Sequence, residues 1–501
     1  MQIEQPFELV LFGGLGDLAL RKLFPALYFL ELDKRLPEGR VIAISRAADD
    51  QKQVIAKIKQ AIFDQVGSKH QCELSWKRLE SRLSYICLDV QQPEDYQGLV
   101  VELDQDCPNR LFYFATASFL YADIAKNLDK NNLIHPPSKV VLEKPIGHDL
   151  TSAQNINKSV AEYFNEAQIY RIDHYLGKET VQNLMVLRFA NSIFESQWNQ
   201  QYIDHIQISI SESLGVERRA GFYEQVGAFR DMMQNHLLQL LCIVAMEPPS
   251  KMEPDAVRDE KVKVIKALRP IEGKDIHEKV IRGQYGKGVS EGIPVPRYRD
   301  EEGVDIKSHT ETFVAMKVEI ENWRWAGVPF YLRTGKRLAE RACEIVVQFK
   351  KIPHSIFSMQ HKETMANKLI FRLQPDEGIR LQLCEKKIGS GMKVRPMTLS
   401  LNPENPSQEY MQIQRPDQDP SGHEVRVPEA YERLIFDALA SNPTLFLRDD
   451  ELMQAWDWVD PILAAWLESD SAPEPYTAGS WGPAAATLLM AKDGRLWNEN
   501  N

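Results

Sequence analysis

Groups able to bind an anion or move a proton crowd into one stretch of this 501-residue chain, Arg171-Ile172-Asp173-His174-Tyr175-Leu176-Gly177-Lys178-Glu179-Thr180. Lys178, together with the free amides of a helix starting beside it, suits an anion. Asp173 suits the orienting of an imidazole, as carboxylates do in proton-transfer sites. The bland alternative is a solvated loop. A second group lies in Gly227 to Met246, which reads as a helix. There Asp231 and Asn235 share a face at i, i+4. His236 is bracketed by Met232, Met233, Leu237 and Leu240, the company of a core histidine as much as of a catalyst. A third candidate is Glu212. It follows Ile206, Ile208 and Ile210 on one face of an alternating strand, where a carboxylate needs a partner, a polar ligand or an exit to solvent.

These groups need elements to hold them. Gln168-Ile169-Tyr170 reads as a strand, and Val181, Leu184 and Met185 recur at helical spacing after it. The polar stretch therefore occupies a strand-to-helix turn, where α/β proteins place ligands. The same logic applies near the start. Leu9-Val10-Leu11-Phe12 is a buried-strand run, Gly13-Gly14-Leu15-Gly16-Asp17 a glycine turn, and Leu18 to Leu27 the opening of a helix. Strand, glycine turn and helix in that order form the context of a dinucleotide site, with Gly13 and Gly16 letting backbone approach a pyrophosphate. The next strand, Val41 to Ile44, ends in Ser45-Arg46. An acid there would suit a free ribose 2′-hydroxyl, whereas Arg46 suits a 2′-phosphate and so favours NADP over NAD, leaving NAD as a weaker possibility.

Further strands read at Tyr85 to Leu88, running into Asp89-Val90, at Leu111 to Phe114, and at Val140 to Leu142, running into Glu143-Lys144-Pro145. Their alternation with helical stretches predicts right-handed βαβ units and a mostly parallel sheet. Later segments, Thr312 to Glu319, Glu344 to Phe349 and Lys368 to Gln374, read as strands, with helices around Glu429 and Glu451. Ile352 to Ser358 and Asn402 to Gly422 read as loops. The expected fold class is an α/β Rossmann domain plus an α+β domain with a large, mostly antiparallel sheet. The expected division is 1–175 for nucleotide and 176–501 for substrate and oligomerisation.

Composition narrows the function. Hydrophobic residues make up 43% and charged residues 26%, the balance of a globular protein, and the net charge of −11 argues against general nucleic-acid binding. The six Cys show no CxxC pair, which points to reduced thiols and not to a disulfide framework or zinc site. No basic n-region precedes an apolar core at the start, and no apolar run approaches the ~18 residues of a bilayer span. The expectation is a cytoplasmic protein with no membrane and no nucleic-acid partner.

The stretch Arg171 to Thr180 closely resembles the substrate-site motif of the glucose-6-phosphate dehydrogenase family. The resemblance continues in order through Phe229 to Gln239, Arg258 to Val262, Arg282 to Tyr285, Thr310 to Phe313, Asn322 to Phe330, Leu332 to Lys336, Tyr431 to Leu434 and Gly479 to Pro483, nearly the whole chain. It implies oxidation of β-D-glucose 6-phosphate at C1 by NADP, the first step of the oxidative pentose phosphate pathway. His236 is then the base and Asp173 its orienting acid. His174, Tyr175 and Lys178 take the phosphate, Glu212 and Asp231 the sugar hydroxyls, and Lys336 adds a donor. Lys144 stands between sugar and nicotinamide, while Gly13, Gly16, Asp17, Arg46, Asp89 and Val90 line the cofactor. No metal is implied, and a homodimer or homotetramer is. Two departures stand out. Thr116-Ala117-Ser118 occupies a place where the family commonly has prolines, and Arg341 stands where some bacterial members carry a second Lys. The remaining alternatives are a related Rossmann sugar dehydrogenase acting on an unphosphorylated sugar and an inactive nucleotide-binding homologue. The His174, Tyr175 and Lys178 group speaks against the first, and the presence of both Asp173 and His236 against the second.

Overall fold

The computed structural model describes residues 5–104, 106–357, 366–375, 377–389, 392–401, 426, 428–469 and 471–499. The expected loop at 402–422 and the last residue of that at 352–358 lie outside them. The chain forms two compact units. The first comprises Met1–Glu179, Pro249–Asp259 and Val427–Trp456; the second comprises Thr180–Pro248, Glu260–Arg426 and Asp457–Asn501.

The first unit is built on a parallel sheet. Its strands are β1 (Phe7–Phe12), β2 (Gly39–Ser45), β3 (Leu83–Cys87), β4 (Arg110–Phe114), β5 (Lys139–Leu142) and β6 (Ile169–Ile172). All six residues of β1 are buried, as are all of β4, β5 and β6. Their apolar runs, such as Leu9–Phe12, Leu111–Phe114 and Val140–Leu142, reflect burial on both faces, and the charged residues buried with them are paired, as Glu8 is with Arg110 at 2.9 Å. The spatial order is 3-2-1-4-5-6, the doubly wound arrangement, with Phe446–Leu447 added antiparallel beyond β6. Phe446 packs edge-on against Tyr170 at 4.9 Å and so steadies the strand that leads into the polar turn. In such a sheet the ligand crevice opens where strand order reverses, between β1 and β4.

The glycine turn sits at that reversal. Gly13 and Gly14 both donate to the Ile44 carbonyl at the end of β2, at 3.0 and 2.8 Å, and Ala115, just past β4, donates to Phe12 at 2.9 Å. Gly13 is left-handed at φ +83, and a Cβ there would lie 2.5 Å from the Ala115 carbonyl oxygen. No other residue type fits. The helix that follows begins with a wide π segment, Ala19–Leu23, and continues as α1 (Phe24–Leu32).

The second unit carries a nine-stranded sheet. Its strands are β7 (Ile203–Ser211), β8 (Val280–Gly286), β9 (Phe313–Glu319), β10 (Pro329–Gly335), β11 (Ala342–Phe349), β12 (Lys368–Gln374), β13 (Gly378–Lys386), β14 (Val394–Leu401) and β15 (Glu474–Thr477). They run in the order 14-13-12-11-7-10-9-8-15. Only β7 with β10 and β8 with β15 pair in parallel; the other neighbours are antiparallel. The expected mostly antiparallel sheet is thus present. β7 lies in the middle, and both of its faces are buried, so its polar residues His205, Gln207, Ser209 and Ser211 are buried beside its isoleucines. No described helix is long and apolar enough to cross a membrane.

Candidate active site

The turn after β6 is almost wholly enclosed. Asp173 and Lys178 are 1% and 8% exposed, and Tyr175, Leu176 and Gly177 are buried, so the solvated-loop alternative fails. Asp173 accepts the Tyr175 amide on Oδ1 at 2.9 Å, and its carbonyl accepts the Leu176 amide at 3.1 Å. This Asx-type turn reverses the chain within a few residues. His174 and Tyr175 come together with ring centroids 5.0 Å apart, and Lys178 Nζ lies 5.0 Å from the Tyr175 ring centre, within cation–π range. Arg171 serves the fold: its buried guanidinium is forked onto Glu166 at 2.7 and 2.9 Å and reaches Asn157 at 2.9 Å. The helix that follows, α2 (Glu179–Phe189), buries Val181, Leu184 and Met185, the residues whose spacing predicts it.

Two groups to which sequence reading assigns no role join this turn, although that reading names the segments that carry them. The first is Tyr431: the helix Ala430–Leu439 begins at a capping box between Glu429 and Glu432, which fixes where Tyr431 falls. Tyr431 stacks on His174 with centroids 6.0 Å apart and 17° between planes. Gly177 makes room for this approach, since a Cβ there would lie 2.9 Å from the Ala430 carbonyl oxygen. The second group is Glu143, the buried acid immediately before Lys144. Burial pushes its carboxyl up to about 6, against the opposing pull of the Tyr113 hydroxyl and the Lys144 charge. Neither group has a periodic or compositional signal in its own segment; both depend on contacts between distant parts of the chain.

On the nucleotide side, Gly16 accepts the Leu20 amide at 3.1 Å and so opens the helix. A Cβ at Gly16 would meet only the Gly13 carbonyl, at 3.1 Å, so the turn is otherwise open there. Asp17 is exposed and pairs with Arg21 at 3.6 Å. Arg46 is exposed just past β2. Asp89 caps its own turn, accepting the Gln91 amide at 3.1 Å, and the Val90 carbonyl accepts from Tyr96 and Asn127 at 3.1 and 2.9 Å. Lys144 is half-buried past the end of β5.

The second unit gathers its own group. Lys336 Nζ binds Glu212 Oε2 at 2.5 Å, which supplies the partner that Glu212 requires. The pairing follows from register: Glu212 and Lys336 each stand one residue past the parallel partners Ser211 and Gly335. Lys336 also lies 5.2 Å from the ring centre of Tyr223, and the Tyr223 hydroxyl is held well above its usual range by burial and by the nearby charges of Asp231, Glu311 and Glu212. Lys336 thus joins Glu212 to Tyr223, and the charge of Asp231 acts on the same hydroxyl. Arg341 does not join them. It is exposed just before β11 and, among the described residues, has no hydrogen-bond or ion-pair partner.

The expected helix from Gly227 to Met246 is corrected in two respects. Gly227 breaks it, at φ +65 and ψ 175, between α3 (Ala220–Ala228) and the rest. From Phe229 to Leu237 the helix is of the wide π type, and α4 (Leu238–Ala245) completes it. A π-helix bonds i to i+5, so Asp231 and His236 are brought towards one face, where an α-helix would set them well apart. Glu311 holds the start of this segment, its buried carboxyl accepting the Phe229 amide at 2.9 Å. A Cβ at Gly227 would lie 2.3 Å from that carboxyl oxygen. His236 itself is wholly buried.

A parallel sheet of this order with a glycine turn at its reversal is a nicotinamide-dinucleotide fold, and the chain is an oxidoreductase of that class. Residues 10–183 match the family model "Glucose-6-phosphate dehydrogenase, NAD binding domain", and residues 185–498 match its C-terminal domain. The chain belongs to the glucose-6-phosphate dehydrogenase family. It is 45% identical over 498 residues to the glucose-6-phosphate 1-dehydrogenase of Rhizobium meliloti (strain 1021), covering 99% of this chain and 98% of that protein. It is 44% identical over 499 residues to that of Dickeya dadantii (strain 3937), covering 99% and 98%. A solved glucose-6-phosphate dehydrogenase in complex with its substrate glucose-6-phosphate superposes with a TM-score of 0.87 at 34% identity, covering all of both chains.

Proposed function

We propose that this enzyme oxidises β-D-glucose 6-phosphate at C1 to 6-phosphoglucono-δ-lactone with NADP, opening the oxidative pentose phosphate pathway. The observation that carries the reading is the clustering of His174, Tyr175 and Lys178 in one enclosed turn, a set of donors and positive charge suited to a phosphate dianion. When bound, the cofactor accepts the hydride that leaves C1. The open side of the Gly16 turn and the helix N-terminus behind it fit a pyrophosphate, with Gly13 and Asp17 in the same turn. Arg46 takes the 2′-phosphate, which favours NADP, and Asp89 and Val90 border the cofactor.

The protein's own chemistry is proton removal and positioning. His236 takes the C1 hydroxyl proton, and Asp173 orients its ring and steadies the imidazolium. Glu212 and Asp231 accept from sugar hydroxyls, Lys336 adds a donor, and Lys144 serves both sugar and nicotinamide. The 1–175 stretch is the NADP-binding half, and 176–501 is the substrate half, which builds a homodimer or homotetramer on its large sheet. The expected compartment is the cytoplasm. The test is cofactor reduction followed by absorbance, with glucose 6-phosphate against glucose, and with NADP against NAD. Equal rates with the two sugars would remove the phosphate from the reading.

A further inference from the structure

Glu143 directly follows β5 and directly precedes Lys144, and its side chain is buried. A carboxylate in such a place is tolerated only when hydrogen-bonded. Tyr113, from β4, donates to its Oε1 at 2.5 Å, and Tyr431, from the helix at Ala430–Leu439, donates to the same carboxyl. Burial raises both phenols far above their usual range, so they remain donors at any working pH. Tyr121 holds the Glu143 peptide itself, donating to its carbonyl at 2.9 Å and accepting from its amide at 3.2 Å. Three tyrosines from two segments thus converge on one residue.

Their effect is mechanical. At one end, the carboxyl is adjacent in the chain to Lys144. At the other, Tyr431 lies flat against His174. We infer that Glu143 is a positioning residue for the reaction: by gripping Tyr113 and Tyr431, it fixes the turn bearing Lys144 relative to the ring that backs His174. It acts through these neighbours and touches neither substrate nor cofactor. The inference rests on the roles given to His174 and Lys144 above. A buried carboxyl that merely fills the core would influence melting and leave both kinetic constants alone.

The two ideas separate in steady-state kinetics on the full-length enzyme, with thermal melts alongside. Tyr431→Phe keeps the stacked ring and removes only the hydroxyl. Glu143→Gln keeps the shape and removes the charge. Each is expected to raise KM for glucose 6-phosphate about tenfold, the weight of one hydrogen bond to a charged group, with KM for glucose nearly unchanged. Glu143→Ala, which releases both tyrosines, should lower kcat as well, because the Lys144 turn is freed. If Glu143→Ala does not fold, the first two variants still decide. Wild-type kcat and KM in Tyr431→Phe and Glu143→Gln, whatever their melting temperatures, would overturn the positioning role. So would a loss of kcat with every KM unchanged. A wild-type enzyme that fails to oxidise glucose 6-phosphate would instead remove the functional reading, and this role with it.

Discussion

The phenol of Tyr431 lies over the imidazole of His174, with ring centroids 6.0 Å apart and 17° between planes. The two residues are far apart in sequence, and the contact exists because Gly177 has no side chain to hold the Ala430–Leu439 helix away. It joins a candidate phosphate ligand to a buried acid, and it gives the glycine of the Arg171 to Thr180 stretch a physical reason.

Gly177→Ala tests that reason. The new methyl would stand 2.9 Å from the Ala430 carbonyl oxygen and 3.2 Å from Leu434 Cγ. Neither can retreat without moving the helix. The expected cost is about 1–3 kcal/mol of stability, as for other overpacked sites, with a raised KM for glucose 6-phosphate. An unchanged melt and an unchanged KM would show that the approach is looser than described.

His236→Asn should lower kcat by roughly 10²–10⁴-fold with little change in KM, the usual range for loss of a general base. Turnover close to wild type would take the base role from this buried histidine and return it to the core.

Arg46→Ala should raise KM for NADP far more than KM for NAD, since the guanidinium is matched to a phosphate and offers little to a hydroxyl. Equal increases for the two cofactors would reject the 2′-phosphate contact.

Stability should carry the mark of Glu143. Burial raises its carboxyl from 4.5 to about 6. A raised carboxyl favours the protonated fold, so this contribution is complete below about 4.5 and is lost as pH rises through about 6. The difference is on the order of 2 kcal/mol. Glu143→Gln, which cannot ionise, should therefore lose less stability than wild type between these two pH values in chemical denaturation. Identical pH dependence in the two proteins would show that Glu143 is not the titrating group.

Much of this protein was determined by local sequence. Apolar strand runs, a glycine turn and helical spacing between them dictate a parallel nucleotide-binding sheet, because each signal is carried by neighbours along the chain. The polar turn between β6 and α2, and the acid and histidine after Phe229, could be named for the same reason. What tertiary structure alone decided is how those residues are held. The pairing of Lys336 with Glu212 comes from the parallel register of β7 and β10. The wide helix turn that draws Asp231 and His236 towards one face is a backbone state that side-chain periodicity does not encode. The hold of Tyr113 and Tyr431 on Glu143 needs strands and a helix distant in sequence to meet. Periodicity records which face of an element is buried; it is silent on what that face is buried against.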